Sequence, residues 1–352
     1  MGIGDQVPIN FLALEDAAKA VRTTLNVPIM KWNDWVDIAS KTLDSKNIIR
    51  VATQFLHNLG EIVYFEEPGI DNVVILDSQW LTEVFSSVVS AKYDPKYGMS
   101  GDIKRGIHLK FSLIIIGILH HKDLELIWRS NPEKPSLNFS PGFHPFLLSV
   151  LEKFEVLHRL SGSAINNIEI SDQNFSLDQL DQLKNNLSQI EATENQGRSL
   201  IPCLLPEEPP SQETQDKFWP PNDEGLSTQL GRIYQFEFMP IGFFSRVMVR
   251  LLHSKWIPLI FWANGIILYK DCLFKLEFDP QTFKIEITVR GDAAANLMGS
   301  LLESIDTLIS DWLKNVDYAV YVPCNFCTSK KIDPPHKFNL AVSIIFLLKI
   351  GL

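Results

Sequence analysis

Cysteine is scarce in this sequence, with four residues among 352. So few cysteines do not form the disulfide framework that holds a small secreted domain together. The chain opens with MGIGDQVPIN, which has neither the basic segment nor the apolar segment of a signal peptide. Both absences favour a reducing compartment, and we predict a cytoplasmic protein.

Long hydrophobic runs are also missing. The two most apolar stretches, Phe111–Leu119 and Ala341–Leu348, are much shorter than the about 20 residues that a membrane-spanning helix needs. We therefore expect no integral membrane segment.

Positive charge is in deficit, because 42 acidic residues outweigh 32 basic ones and the formal net charge is -10. No Lys/Arg stripe offsets this balance, which argues against nucleic acid as a partner. The sequence also lacks a GxxxxGK[ST] phosphate loop, a dinucleotide-binding glycine fingerprint, HExxH, GxSxG and the kinase motifs. We predict that this chain by itself is not an enzyme, has no catalytic residue and holds no cofactor.

Apolar side chains, by contrast, are plentiful. Hydrophobic residues make up 45% of the chain and include 22 Phe and 8 Trp, enough for a large core. A chain of this length exceeds the usual limit of one core, so we expect two domains.

The first part of the sequence predicts small helices followed by a two-stranded ribbon. In the segment Ile48–Leu59 the apolar residues recur at helical spacing, and Gly60 is placed to end that helix in a left-handed conformation. Two short β-prone runs, Ile62–Phe65 and Val73–Leu76, flank a turn that contains Pro68. This order is typical of a winged-helix-like lobe.

Composition marks the domain boundaries. We predict an N-terminal lobe over residues 5–205, with a helix at His144–Leu160 and a polar insertion at about 161–200. Residues 206–224 are rich in proline and acidic residues and are predicted to be a linker. A C-terminal lobe follows over 225–327, and 328–352 form an atypical tail.

The C-terminal lobe alternates between strand and helix patterns. Asn264-Gly265 suits a type I′ hairpin, and Asp279-Pro280 marks a second one. The segment from Gly291 to Leu313 carries a long helical stripe. The fold class is therefore α+β, with an antiparallel sheet of about five strands packed on two helices. The expected core anchors are Phe154, Phe243, Leu301 and Trp312.

One pair of cysteines has the spacing of a metal half-site. Cys324 and Cys327 form a CxxC, but a structural zinc site needs four ligands and His336 is the single further candidate nearby. Free thiols and a zinc-dependent adaptor remain alternatives, and we predict no metal.

Several stretches, in order, resemble the COR (C-terminal of Roc) module of the Roco family, which includes Roco GTPases, Roco kinases and leucine-rich-repeat kinases. The matching segments in the first lobe are Pro8–Glu15, Ala52–Phe65, Val74–Leu81, His120–Trp128, Phe146–Leu160 and Leu200–Glu207. Those in the second lobe are Tyr234–Leu252, Trp262–Tyr269 and Ile305–Pro323. The run His108–Ile116 interrupts the family pattern, and Asn339–Leu352 is unlike it.

The resemblance implies a regulatory scaffold. In the family the N-terminal lobe packs on the preceding Roc GTPase domain, and the C-terminal lobe forms a homodimer whose assembly is linked to the nucleotide cycle. By this resemblance Val74, Trp80 and Leu81 would face the GTPase. GTP and Mg²⁺ would belong to the Roc domain and not to this chain. The alternative is a fragment of a multidomain Roco GTPase or serine/threonine kinase whose catalytic domains lie outside the chain.

Overall fold

The protein is described from a computed structural model. The described residues are 8–89, 117–121, 124–129, 137–160, 197–221, 228–254, 256–324, 327, 332 and 335–340. They divide into two compact units: residues 1–111 with 121–154, and residues 112–120 with 155–352. The expected run His108–Ile116, most of the polar insertion 161–200 and the tail beyond 340 lie outside the described residues.

The described part of the first unit is mainly helical. Its helices are α1 (Ile9–Thr24), α2 (Trp32–Ala39), α3 (Lys46–Leu59), α4 (Ser78–Val89), α5 (Leu124–Arg129) and α6 (His144–Lys153). Gly60 ends α3 with φ 80°. The Glu61 N–H donates to the Leu56 carbonyl at 3.1 Å, so the end of α3 is a Schellman turn, as the glycine predicted.

The predicted ribbon of the first unit forms only in part. Strand β2 (Val73–Ile75) pairs antiparallel with β1 (Ile29–Lys31) between α1 and α2. The segment Ile62–Phe65 contributes one isolated bridge, between Val63 and Ile75. All three residues of β2 are buried. Because β1 is more than forty residues away from β2, no turn motif in the sequence indicates that these two strands pair.

A polar contact lies inside the core of the first unit. Trp35 is fully buried between α1, α2 and α3, and its indole N–H donates to the Thr53 hydroxyl at 2.8 Å. That hydroxyl in turn donates to the Ile49 carbonyl at 2.7 Å. The buried indole is therefore satisfied, as a polar group in a core has to be.

The predicted helix His144–Leu160 is too long. Helix α6 ends at Lys153, and Glu155 takes a left-handed backbone with φ 58°. Arg250 donates to the Glu155 carboxylate at 2.6 Å and Arg246 at 3.2 Å. The two ion pairs hold the Glu155 side chain on the helix Phe243–His253, and the chain continues as a strand in the second unit.

The second unit contains two antiparallel sheets. The smaller has the order β3-β5-β4, built from β3 (Ile118–His120), β4 (His158–Leu160) and β5 (Arg198–Leu200). The strands of the larger sheet are β6 (Gln229–Phe236), β7 (Ile257–Trp262), β8 (Gly265–Lys270), β9 (Cys272–Asp279), β10 (Lys284–Arg290), β11 (Tyr318–Pro323) and β12 (Lys337–Asn339). Its order is β12-β11-β6-β10-β9-β8-β7, seven strands where about five were expected.

Both predicted hairpins are present in the larger sheet, but the type I′ turn expected at Asn264-Gly265 is wrong. Trp262 pairs with Gly265, so the turn residues are Ala263 and Asn264, and neither Asn264 nor Gly265 has the positive φ of a type I′ turn. Lys284 pairs with Asp279 across the second turn. Helices α8 (Phe243–His253) and α9 (Ala294–Trp312) supply buried residues to the same core as one face of this sheet. The α+β fold class is confirmed.

The predicted linker contains a helix. Helix α7 (Gln212–Phe218) begins at Ser211, whose hydroxyl accepts from the Thr214 N–H. Trp219 follows α7 and packs against residues of β7, β8 and β9. The Arg290 guanidinium lies 4.4 Å from the centre of the Trp219 ring, and its Nη1 donates to the Pro220 carbonyl. Proline-rich composition alone did not reveal this docking.

Candidate functional site

The side chains expected to face a GTPase are buried in the first unit. Val74 pairs with Met30 of β1 and is 0% exposed, while Trp80 and Leu81 on α4 are 3% and 4% exposed. Trp80 also meets the Phe139 ring at 5.6 Å. These three side chains are therefore part of the unit's own packing, and their role toward a GTPase stays a prediction.

Exposed apolar side chains lie instead on α1 and α3. On α3 Ile48, Val51 and Leu59 are 46%, 63% and 56% exposed. Their spacing places them on one side of the helix, together with Phe55. On α1 the exposed pair is Ile9 and Leu12.

A ring contact at 5.5 Å between Phe11 of α1 and Phe55 of α3 joins the two helices. We call the set Ile9, Leu12, Ile48, Val51 and Leu59 the α1/α3 apolar surface. Helical spacing marked α3 in the sequence, but periodicity alone does not tell a second apolar face from a core face.

A second exposed apolar pair lies in the turn between β6 and α8. Phe238 is 56% exposed and Ile241 is fully exposed. The turn ends at Gly242, whose φ of 88° is the left-handed conformation that glycine adopts without strain. The Phe238 ring contacts the Phe283 ring, with 6.1 Å between the ring centres. The Ile241 side chain projects into solvent.

The two cysteines of the CxxC lie at the end of β11. Cys324 and Cys327 are half-buried, and the Cys324 N–H donates to the His336 carbonyl at 2.7 Å. Among the described residues, no group of three potential metal ligands includes either cysteine. Their proposed role in zinc binding has no geometric support in this part of the chain.

Two of the four expected core anchors are surface residues. Phe243 and Leu301 are 2% and 3% exposed and belong to the core of the second unit. Phe154 and Trp312, in contrast, are 37% and 48% exposed. Trp312 is the last residue of α9, and its ring lies 3.6 Å from the Arg246 guanidinium, a cation–π contact that does not need burial.

The first unit also contains a cavity of about 220 Å³. The rings of Trp128, Phe139 and His144 line it, with Glu125 beside them. Burial lowers the pKa of His144 below its ordinary value, and the Glu125 carboxylate opposes this shift. The cavity therefore favours a neutral imidazole among aromatic rings.

No helix among the described residues combines the length and the apolarity needed to cross a bilayer.

Two family models match the chain in consecutive order. The COR-A domain, C-terminal of Roc, matches residues 8–205. The COR-B domain, C-terminal of Roc, matches residues 227–343. The second match extends beyond residue 328, where we expected an atypical tail, and the structure adds β12 to the sheet there.

The curated relatives are much longer proteins. The probable serine/threonine-protein kinase pats1 of Dictyostelium discoideum is 33% identical over 97% of this chain and 9% of that protein. The probable serine/threonine-protein kinase roco11 of the same organism is 32% identical over 69% of this chain and 13% of that protein.

Among solved structures, one titled "Structure of methanosarcina barkeri Roco2 RocCORdC bound to GDP" matches 56% of this chain and 43% of that chain. The match has 14% identity and a TM-score of 0.34, too low a likeness to carry a structural argument. The two family models, by contrast, together account for most of the sequence. The chain belongs to the COR family, as a COR-A domain followed by a COR-B domain of a Roco protein.

Proposed function

We propose that this chain is a non-catalytic scaffold that binds a Roc GTPase domain and couples its own self-association to the nucleotide cycle of that GTPase. The observation that carries the proposal is the consecutive COR-A and COR-B match, since the family is named for its position after Roc. A scaffold of this kind acts through contacts that differ between two states of its neighbour. GTP and Mg²⁺ would then be bound by the GTPase and not by this chain, and the complex would be cytoplasmic.

The α1/α3 apolar surface supports the GTPase-binding part of the proposal. It lies at the start of the COR-A match, and its five side chains have no apolar cover within the described part of the first unit. Three of its side chains share one side of α3, and exposed apolar groups on one helix face are typical of a protein–protein interface. We assign this surface to the Roc domain, in place of the buried Val74, Trp80 and Leu81.

A binding experiment tests this assignment. The full chain is titrated by calorimetry with a Roc GTPase domain from a Roco protein, loaded with GDP or with a non-hydrolysable GTP analogue. We expect micromolar binding whose affinity depends on the nucleotide. Val51→Glu should weaken binding roughly tenfold or more, because it places a charge in an apolar contact. Ser304→Glu, a change at an exposed residue of α9, should not. Equal binding by wild type and Val51→Glu would reject the surface.

Self-association is assigned to the second unit. The turn that presents Phe238 and Ile241 offers exposed apolar groups that a second copy of the chain would cover. Sedimentation velocity on the full chain should show a dimer at tens of micromolar, and Ile241→Glu should shift it toward monomer. Because Ile241 is fully exposed, this variant should remain folded. A wild-type chain that stays monomeric over this range would remove self-association from the proposal.

The relatives' names support a wider assignment for the parent protein. Both Dictyostelium proteins are called probable serine/threonine-protein kinases, and this chain spans 9% and 13% of their lengths. We propose that the chain serves a multidomain Roco protein in signal transduction, with GTPase and kinase parts outside these 352 residues. Sequencing the full transcript tests this, and a transcript without a GxxxxGK[ST] motif would contradict it.

A further inference from the structure

Two histidines of the second unit face each other across neighbouring elements. His158 is the first residue of β4, and His253 is the last residue of α8. Their ring centres lie 4.9 Å apart, and the ring planes are nearly perpendicular at 79°. His253 is exposed and His158 is half-buried, so solvent reaches the pair from one side. Nothing in the COR-A and COR-B assignment gives these side chains a role.

The separation of the rings suits a shared metal ion. With Zn–N bonds of about 2.0–2.1 Å and a tetrahedral angle, two imidazoles on one ion have ring centres roughly 5 Å apart. The observed 4.9 Å agrees with this value. One nitrogen of each ring lies within 4.8 Å of the other, and a shared ion needs about 3.3 Å. His253 is exposed, and rotation of its ring about χ2, a broad torsion, would bring the two nitrogens closer.

The position of His253 at the end of its helix favours a cation. His253 occupies the C-terminal end of α8, where the helix dipole is negative. Arg250 lies in the same last turn, but its charge is offset by Glu155 at 2.6 Å and by Asp311 at 3.3 Å. A metal ion at His253 would therefore meet a helix end that attracts positive charge.

Both histidines are also held by rigid structure. His158 pairs with Leu200 in the three-stranded sheet. His253 directly follows Leu251 and Leu252, which are each 3% exposed in the core. Metal ligands on strands and helices keep their geometry better than ligands on loops.

We propose that His158 and His253 form a binding site for a divalent transition-metal ion that prefers imidazole nitrogen, such as Zn²⁺, with water completing its coordination. This site is distinct from the CxxC that the sequence suggested. Imidazole is a ligand suited to zinc, copper and nickel, and it does not favour Mg²⁺ or Ca²⁺.

Zinc titration of the full chain tests the site. The protein carries no histidine tag, is stripped with chelator, and is titrated with Zn²⁺ while bound metal is counted by elemental analysis. We expect the His253→Ala protein to bind one zinc ion fewer, or to bind it at least roughly tenfold more weakly, because even an outer-shell change costs that much. His158→Ala should have the same effect. Circular dichroism checks the fold, and the exposed His253 decides the result if His158→Ala unfolds.

Two control variants separate this site from other ligands. His336→Ala removes a histidine beside the CxxC, and the double variant Cys324→Ser with Cys327→Ser removes the CxxC itself. Both should keep the wild-type zinc ion. The proposal is overturned by a wild-type chain that binds no zinc, by unchanged binding in His253→Ala, or by loss of the ion in the cysteine variant. The result does not depend on binding to a GTPase, so failure of the proposed function would leave it intact.

Discussion

A single buried hydroxyl links the large sheet to α9. Tyr234 is 1% exposed, and its hydroxyl donates to the Asp306 carboxylate at 2.8 Å. Burial, together with this hydrogen bond, raises the pKa of Tyr234 far above its ordinary value. The phenol therefore stays protonated and acts as a donor over the whole range in which the protein is folded.

Removing this hydroxyl should lower stability. We expect Tyr234→Phe to reduce the free energy of unfolding by about 1–2 kcal/mol, because a hydrogen bond to a carboxylate is lost while the ring packing remains. Urea denaturation monitored by tryptophan fluorescence measures the change. Tyr321→Phe on β11 is the matched control and should change stability by less than about 0.5 kcal/mol. Equal stability of wild type and Tyr234→Phe would show that water replaces the bond at no cost.

His144 should make the first unit sensitive to mild acid. Burial lowers its pKa below 6.5, so well above pH 6.5 the ring is neutral in both the folded and the unfolded chain. As pH falls through 6.5 the unfolded chain takes up the proton first, and the free energy of unfolding decreases until the lower, folded pKa is passed. Stability profiles from pH 7.5 to 5 should be flatter for His144→Gln than for wild type. A profile of unchanged slope would contradict the lowered pKa.

Residue-scale features that depend on one position were the hardest to predict. The sequence shows that Trp312 continues the apolar stripe of α9, but not that the helix ends there beside Arg246. It shows that Val51 and Leu59 share a face of α3, but not that the core uses Ile49, Ala52 and Leu56. Periodicity finds an amphipathic helix, while burial depends on which neighbours cover each face.

At the scale of elements, replacing two glycines of helices by alanine should change stability in opposite directions. Gly60 ends α3 with φ 80°, and a Cβ added there would meet no atom within 4 Å, so any cost of Gly60→Ala is backbone strain. We expect a loss of about 1–2 kcal/mol. Gly299 lies inside α9 and is equally uncrowded, so Gly299→Ala should gain about 0.5–1 kcal/mol. Thermal unfolding of both variants measures the contrast, and two changes of the same sign would contradict it.

Elements with a local signal were predicted well, and elements with distant partners were not. Asn264-Gly265 and Gly60 are local signals. The structure has the helix end at Gly60 and the first hairpin, although the turn of that hairpin lies one residue earlier than predicted. Strand β1 is three residues long and pairs with a strand more than forty positions away. Helix α7 lies between prolines, and this composition predicted a linker. The capping residue Ser211 was the one local indication of a helix, and composition outweighed it.

At the scale of the whole molecule, the order of segments predicted more than any motif did. The family resemblance rested on many short stretches, and the COR-A and COR-B matches cover the same order. The exposed surface that we assign to the Roc domain could not be predicted from the order of these segments. Val74, Trp80 and Leu81 fit the family pattern but are buried, whereas Ile9 and Val51 are exposed because no described element covers them.

Each unit has a hydrophobic core of its own, which predicts how the molecule unfolds. The core around Leu56 in the first unit and the core around Leu301 in the second share no residue. We expect calorimetry to resolve two unfolding transitions. Leu56→Ala and Leu301→Ala should each remove about 2–5 kcal/mol from a different transition, since each leaves a cavity in one core. The exposed change Ile48→Ala is the control for the first unit and should move neither. If both core variants shifted a single common transition, the two cores would have to melt as one cooperative structure.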